Sequence, residues 1–312
     1  MTAQSITTFD ELLVRASALA EKCILVALPA NAETFEAIRD ALGKLPSRFI
    51  LVGDESLIGR GLGISSALRS RVTIHHNPVP DEALQTCVEI LRQGKADLFM
   101  KGSVDTATMM RGIFDEKSGL RTGKLLSDVF ITEATLEGRR RFLMITDGGL
   151  IPMPDLKEKI ELINNAVWVA HGLGMALPRV AILSATELVS PRIPSTIDAA
   201  ILAAMNTRGQ ITGCLVDGPF ALDNAISIEA AQEKKITSDV AGQADILVAP
   251  SIETANSLAK STYYFAGWRL AHVVVGGKVP ILIPSRADKS DAKLLSIALG
   301  MIMSEATITL KR

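Results

Sequence analysis

Aromatic residues make up only 4% of this 312-residue chain, and cysteine occurs three times. The scarcity of rings leaves the core to Ala, Val, Ile, Leu and Met. Cys23, Cys87 and Cys214 are far apart, odd in number and outside any CxxC pair, which argues against a zinc site and a disulfide scaffold. Charge of neither sign dominates: 33 Lys plus Arg stand against 34 Asp plus Glu, a net charge of -1. The chain therefore carries no basic footprint for nucleic acid and no polybasic patch for a membrane surface. An anionic ligand would have to be held by a few local cations and backbone amides. No apolar run reaches the roughly 18 residues of a membrane span without a charge or turn residue. The opening MTAQSITTFDELLVRASALAEKC lacks the basic segment and apolar stretch of a secretory signal, so a reducing cytoplasm is the expected compartment.

Several familiar motifs are missing too. GRGLG at 59–63 and GLG at 172–174 fall short of a dinucleotide fingerprint, and nothing fits GxxxxGK[ST] or GxSxG. His75, His76, His171 and His272 show no metal-ligand spacing. His75 and His76, at a strand end, are expected to be solvated or to cap a neighbouring element, and Met109 and Met110 to serve packing.

What is present is a repeated alternation. Short apolar runs occur at 23–28, 48–53, 71–76, 96–102, 141–149, 179–187, 211–218, 244–250 and 279–285. Most are nearly continuous in apolar character, as strands covered on both faces require. Helix-period segments lie between them, as at 155–174 and 290–306; in the former, Asp155 stands at the start and Gly172 and Gly174 at the end. The pattern predicts an α/β fold with mainly parallel sheets, and so many strands favour two domains.

GKADLFMKGSVDTA at 94–107 and GQADILVAPSIETA at 242–255 align without gaps. Each reads as a strand, a loop, and a serine opening a helix with an acid in its first turn. Two ordinary units with good capping chemistry would explain this. So would two domains presenting matching loops to one cleft.

In parallel α/β sheets ligands gather beyond the carboxyl ends of the strands. The candidate loops are 101–103, 147–149, 184–186, 217–219, 250–251 and 284–286. PILIPSRADKSDAKLL is the most suggestive, because Ser285 and Arg286 sit where a strand gives way to a helix, with Asp288 and Asp291 close by. Arginine at a helix N-terminus suits a phosphate. The plainer alternative has Asp288 or Ser290 capping the helix and Arg286 solvated.

The stretches ADLFMKGSVDTATMMRGIF, GLRTGKLLSDV, RVAILSATELV, STIDAAILAAMNTRGQITGCLVDGPFALDNAIS, ADILVAPSIETANSLAK and YFAGWRLAHVVVGGKVPILIPSRADKSDAKLLSIAL closely resemble the phosphate acetyltransferase/phosphate butyryltransferase family, nearer its butyryl branch. VDGPFALDNAIS and PSRAD are the most specific parts. The resemblance implies two three-layer α/β/α domains flanking a cleft, like isocitrate and isopropylmalate dehydrogenases. Residues 1–122 and 272–312 would form the first domain, and 123–271 an inserted, dimer-forming second. It implies a homodimer that moves a short acyl group between coenzyme A and inorganic phosphate, with no metal or redox cofactor. By position it implies Ser285 beside the coenzyme A sulfur, Arg286 on phosphate, and Asp291 as thiol base with Asp288 the alternative. Arg111, Ser103, Thr106, Asn256, Lys260 and Asp288 would contact substrate. The chain departs from the family's pattern at Ile151, Pro152, Ala255 and Asp128, which could alter acyl-chain choice or activity. Two other functions remain open: a non-catalytic coenzyme A- or phosphate-binding homologue, and an oxidoreductase on the same fold.

Overall fold

Short apolar strands flanked by amphipathic helices recur along the computed structural model of the chain, which describes residues 5–113, 120–285 and 287–309. The chain divides into two compact units, one of Asp10–Lys124 with Ala271–Arg312 and the other of Met1–Phe9 with Leu125–Leu270. We call them the end unit and the middle unit.

In chain order the first part runs α1 (Phe9–Ser17), β1 (Lys22–Ala27), α2 (Ala32–Lys44), β2 (Ser47–Gly53), α3 (Glu55–Leu62), α4 (Ser66–Arg69), β3 (Val72–His76), α5 (Pro80–Arg92), β4 (Leu98–Lys101) and α6 (Thr106–Ile113). The middle unit follows with β5 (Ser127–Leu136), β6 (Arg139–Thr146), α7 (Leu156–Gly172), β7 (Arg179–Leu183), α8 (Pro194–Thr207), β8 (Leu215–Phe220), α9 (Leu222–Ile226), α10 (Ile228–Glu233), β9 (Ile246–Val248) and α11 (Ile252–Tyr264). The chain then returns to the end unit through β10 (Leu270–Val275), β11 (Ile281–Leu282) and α12 (Ser290–Thr309).

The end unit orders its strands β3-β2-β1-β4-β11-β10, parallel except for β10 against β11. All six residues of β1 are buried, as a central strand covered on both faces must be. The middle unit runs β5-β6-β9-β7-β8, again parallel apart from the β5–β6 hairpin. Its core joins Phe130, Leu143, Ile145, Leu183, Phe220 and Leu247, with the small residues Ala255 and Ala259 of α11 packed against them.

Two strands escape the sequence pattern, β5 and β10. In β5, SDVFITEATL, eight consecutive residues are buried although Ser127, Asp128, Thr132 and Glu133 are polar. They are tolerated because they are partnered. Glu133 Oε2 accepts the Phe9 N–H at 2.9 Å and Oε1 meets the Arg140 guanidinium, while Thr132 donates to the Arg269 carbonyl at 3.1 Å. The Phe9 ring packs on Phe142 with centroids 4.9 Å apart, and the Arg269 guanidinium lies over it at 5.6 Å. These contacts tie the start of the chain to the middle unit.

The helices follow their capping signals. Asp155 caps α7 in a full capping box with Glu158. His76 Nδ1 accepts the Glu55 N–H at 3.2 Å at the start of α3, and Met109 is fully buried. The three cysteines are free and buried, and burial pushes their thiols up, Cys23 and Cys214 to about 11. Among the described residues no helix is long and apolar enough to cross a membrane, and no cluster of three or more His, Cys, Asp or Glu could hold a metal ion.

Candidate active site

In the end unit the parallel pairing of β4 and β11 decides which loops meet. Phe99 pairs with Ile281 and Met100 with Leu282. Counting on from that register brings Ser103 and Ser285 to the same carboxyl edge, in loops that leave adjacent strands. This is the strand-end position where α/β sheets bind ligands.

Ser285 lies in a tight turn built by Asp288. The Ser285 N–H donates to Asp288 Oδ2 at 2.7 Å, and the Asp288 N–H donates back to the Ser285 carbonyl at 3.2 Å. Ser285 Oγ accepts weakly from the Ala287 N–H at 3.4 Å. Arg286, between them, lies outside the described residues. Asp288 therefore accepts the backbone of the turn, whereas the plainer sequence reading had Asp288 or Ser290 capping the helix. Asp291 is exposed in the first turn of α12.

Two residues around this turn were not singled out from the sequence. Lys293 Nζ donates to the Ser285 carbonyl at 3.2 Å and to the Asp288 carbonyl, with only 2% of the residue exposed. Burial lowers its pKa, against the pull of Asp288 and Glu33. Along α12 Lys293, Ile297 and Met301 recur at helical spacing and all are buried. His272 is also buried, with Nε2 3.9 Å from Asp288 Oδ2 and its N–H donating to Ser296 Oγ at 3.1 Å.

The β4 loop is packed closely against β1. Gly102 and Ser103 donate to the Ala27 and Leu28 carbonyls at 2.8 and 2.9 Å. A Cβ at Gly102 would stand 2.4 Å from both carbonyl oxygens, so only glycine fits. Lys101, 5% exposed, donates to the Val104 carbonyl at 3.0 Å and braces the loop from within. Thr106 opens α6, and Arg111 reaches back along that helix to Thr108 Oγ1 at 3.0 Å. Ser103, Asp105 and Thr108 line a cavity of about 510 Å³ with Leu28, Pro29 and Asp54. Leu28 sits at φ +51°, a left-handed conformation rare for a branched side chain.

The middle unit repeats the arrangement. Parallel β6 and β9 pair Thr146 with Val248, and the loops that follow hold Asp147-Gly148-Gly149 and Ala249-Pro250-Ser251. Asn256 donates from Nδ2 to the Gly148 carbonyl at 2.8 Å, and the Ile252 N–H donates to the Pro152 carbonyl at 3.0 Å. Asp147 is 2% exposed; its Oδ1 accepts the N–H groups of Gly149 and Leu150 at 2.7 and 3.0 Å, while the buried Oδ2 has no hydrogen-bond partner. Burial, then the charge of buried Asp128, pushes the Asp147 carboxyl up to about 7. Gly149 lies so close to Asp128 that a Cβ would come within 2.5 Å of its carboxylate. Ala255 is fully buried in the α11 packing face, whereas Lys260 is exposed on the same helix.

The gapless repeat is resolved differently in its two copies. Ser251 caps α11 through the Thr254 N–H at 3.4 Å, with Glu253 in the first turn. Ser103 does not open a helix; Asp105 caps α6 through the Thr108 N–H at 2.8 Å. The first helix starts two residues later in the aligned frame, and Ser103 is left in the loop.

The fold is that of the phosphotransacylases. The crystal structure of a branched-chain phosphotransacylase from Enterococcus faecalis V583 matches with a TM-score of 0.79 and 28% identity, covering 91% of this chain and 99% of that one. The chain belongs to the phosphate acetyl/butaryl transferase family, whose model matches residues 66–301. It is 43% identical over 296 residues to the phosphate butyryltransferase of Clostridium beijerinckii, covering 95% of this chain and 97% of the relative. It is also 40% identical over 301 residues to the phosphate acetyltransferase of Thermotoga maritima, covering 95% and 100%.

Proposed function

We propose that the enzyme transfers a short acyl group reversibly between coenzyme A and inorganic phosphate. The observation that carries this reading is the near-complete match to a phosphate butyryltransferase at 43% identity. In the direction of coenzyme A acylation, the thiolate attacks the carbonyl carbon of an acyl phosphate. The C–S bond forms, the C–O bond to phosphorus breaks, and inorganic phosphate leaves.

The residues divide this work by their position around the Ser285 turn and the β4 loop. A thiol with a pKa near ~8.5 is mostly protonated at neutral pH, so a positioned base should contribute roughly 10²–10⁴-fold. Asp291 is the base we assign, because the Asp288 carboxylate already accepts the Ser285 N–H. Ser285 approaches the sulfur, and Arg286 holds the phosphate by charge-assisted hydrogen bonds. Arg111, with the hydroxyls of Ser103 and Thr106, contacts substrate from the β4 side. Asn256 and Lys260 contribute from α11, and Asp288 acts through the turn. Holding phosphate against the carbonyl is then most of catalysis.

We further propose a dehydrogenase-like arrangement of two α/β domains about a cleft, a cytoplasmic location, and a homodimer formed through the middle unit. The apolar side chains Leu188, Val189, Ile197 and Ile201, exposed in that unit, support the dimer. The reaction as written needs neither a metal nor a redox cofactor, so turnover after exhaustive chelation is expected to equal the untreated rate. The deciding assay is phosphate-dependent release of free thiol from acetyl-, propionyl-, butyryl- and valeryl-coenzyme A, with Arg286→Ala as control. Release that needs phosphate and is lost in the variant supports the reading and ranks the chains. Coenzyme A binding with no release would instead mark a non-catalytic homologue.

A further inference from the structure

We infer that Lys293 is a positioning residue of the active-site turn, its buried ammonium clamping the carbonyls of Ser285 and Asp288 and so fixing how Ser285 is presented to substrate. The inference rests on the acyltransferase reading for its consequence in catalysis, but its geometry stands apart from that reading. Lysine is among the side chains least often fully buried, yet Lys293 is 2% exposed. It also lies in the first turn of α12, where the helix dipole disfavours a cation. A buried ammonium there requires compensation, and the turn supplies it. Two of the three ammonium donors have acceptors, the Ser285 carbonyl at 3.2 Å and the Asp288 carbonyl. The negative charges of Asp288 and Glu33 offset the lowering of its pKa by burial.

The arrangement is reciprocal. The Ser285 carbonyl receives both the Asp288 N–H and the Lys293 ammonium, while the Asp288 carboxylate receives the Ser285 N–H. Lysine and aspartate thus hold the turn from both ends. Without the ammonium, the Ser285 and Asp288 carbonyls lose a charged donor and the Asp288 carboxylate loses its nearby cation. The turn would then be free to shift, and displacement of a reacting group by about 1 Å can cost ~10²-fold in rate.

The test is Lys293→Met, which keeps the volume and removes the charge. It combines steady-state kinetics with hydrogen exchange over residues 283–289. The expected result is a kcat lower by about tenfold or more, a KM for acyl-coenzyme A within about threefold of wild type, and faster exchange of the Ser285 amide. A folded Lys293→Met protein with kcat within about twofold of wild type overturns the inference. If that variant does not fold, Asp288→Asn carries the test: the same fall in kcat with faster exchange supports the clamp, and unchanged values overturn it. If the wild type shows no phosphate-dependent thiol release, the functional reading falls and exchange alone judges Lys293. Full protection of the Ser285 amide in a folded Lys293→Met protein would then refute the clamp.

Discussion

Burial decides the roles of the acidic residues one by one. Asp147, with an unpartnered buried oxygen beside Asp128, is pushed up to about 7 by desolvation first and by its neighbour second. An unfolded aspartate titrates near ~3.9. Between these values the folded state holds a proton that the unfolded state has released, so the contribution of Asp147 to stability falls as pH rises from about 4 to about 7. The span corresponds to at most ~4 kcal/mol. Asp147→Asn removes the titration but keeps an acceptor for the Gly149 and Leu150 N–H groups. Denaturant melts at pH 5 and pH 8 should therefore show the variant gaining on wild type at the higher pH. Equal gaps at both pH values would contradict a raised carboxyl. Asp291 is exposed at the start of α12, and Asp291→Asn is expected to lower kcat by roughly 10²–10⁴-fold with little change in melting temperature. The place of Ser285 between a strand and a helix was readable from sequence, because an apolar run gives way there to a helix-period segment. Lys293 was not, because a lone lysine in an apolar stripe looks like a surface residue until its acceptors are placed around it.

The same limit operates on secondary-structure elements. Each of the nine apolar runs overlaps a strand, while β5 hid behind four polar side chains whose partners lie outside that strand. Glu133 depends on Phe9 and Arg140, and Thr132 on Arg269, none of which adjoins it in the strand. The aligned repeat is a second case: identical spacing of Ser and acid gave a serine cap in α11 and an aspartate cap in α6. The β4 loop is drawn toward β1 by the Gly102 and Ser103 N–H groups, which delays the helix start by two residues. This difference makes a paired prediction. Ser251→Ala and Asp105→Ala should each lower stability measurably in thermal or chemical unfolding, whereas Ser103→Ala should cost far less. A comparable loss at Ser103 would mean that the serine, not the aspartate, caps α6.

At the scale of the whole molecule, alternation of strands and helices was enough to give the α/β class. The path of the first residues was not legible, since Phe9 reaches the middle unit through an aromatic contact and a buried glutamate that no local pattern encodes. The assembly is the remaining question, and its physical signal is an apolar surface without an intramolecular partner. Along α8, Ile197 and Ile201 are one helical turn apart, 36% and 39% exposed, and the preceding loop adds Leu188 and Val189 at 69% and 58%. Helices of single-chain proteins normally turn charged or polar residues outward, so an outward isoleucine pair argues for a second copy of the chain as cover. Ile197→Glu with Ile201→Glu would place four charges across a two-fold interface at no cost to the buried face of α8, which uses Thr196, Ala199 and Leu202. Light scattering should then report 33.3 kDa for the variant and twice that for wild type. A wild-type protein already at 33.3 kDa, or a variant that stays dimeric, would show that this face of α8 does not join the subunits.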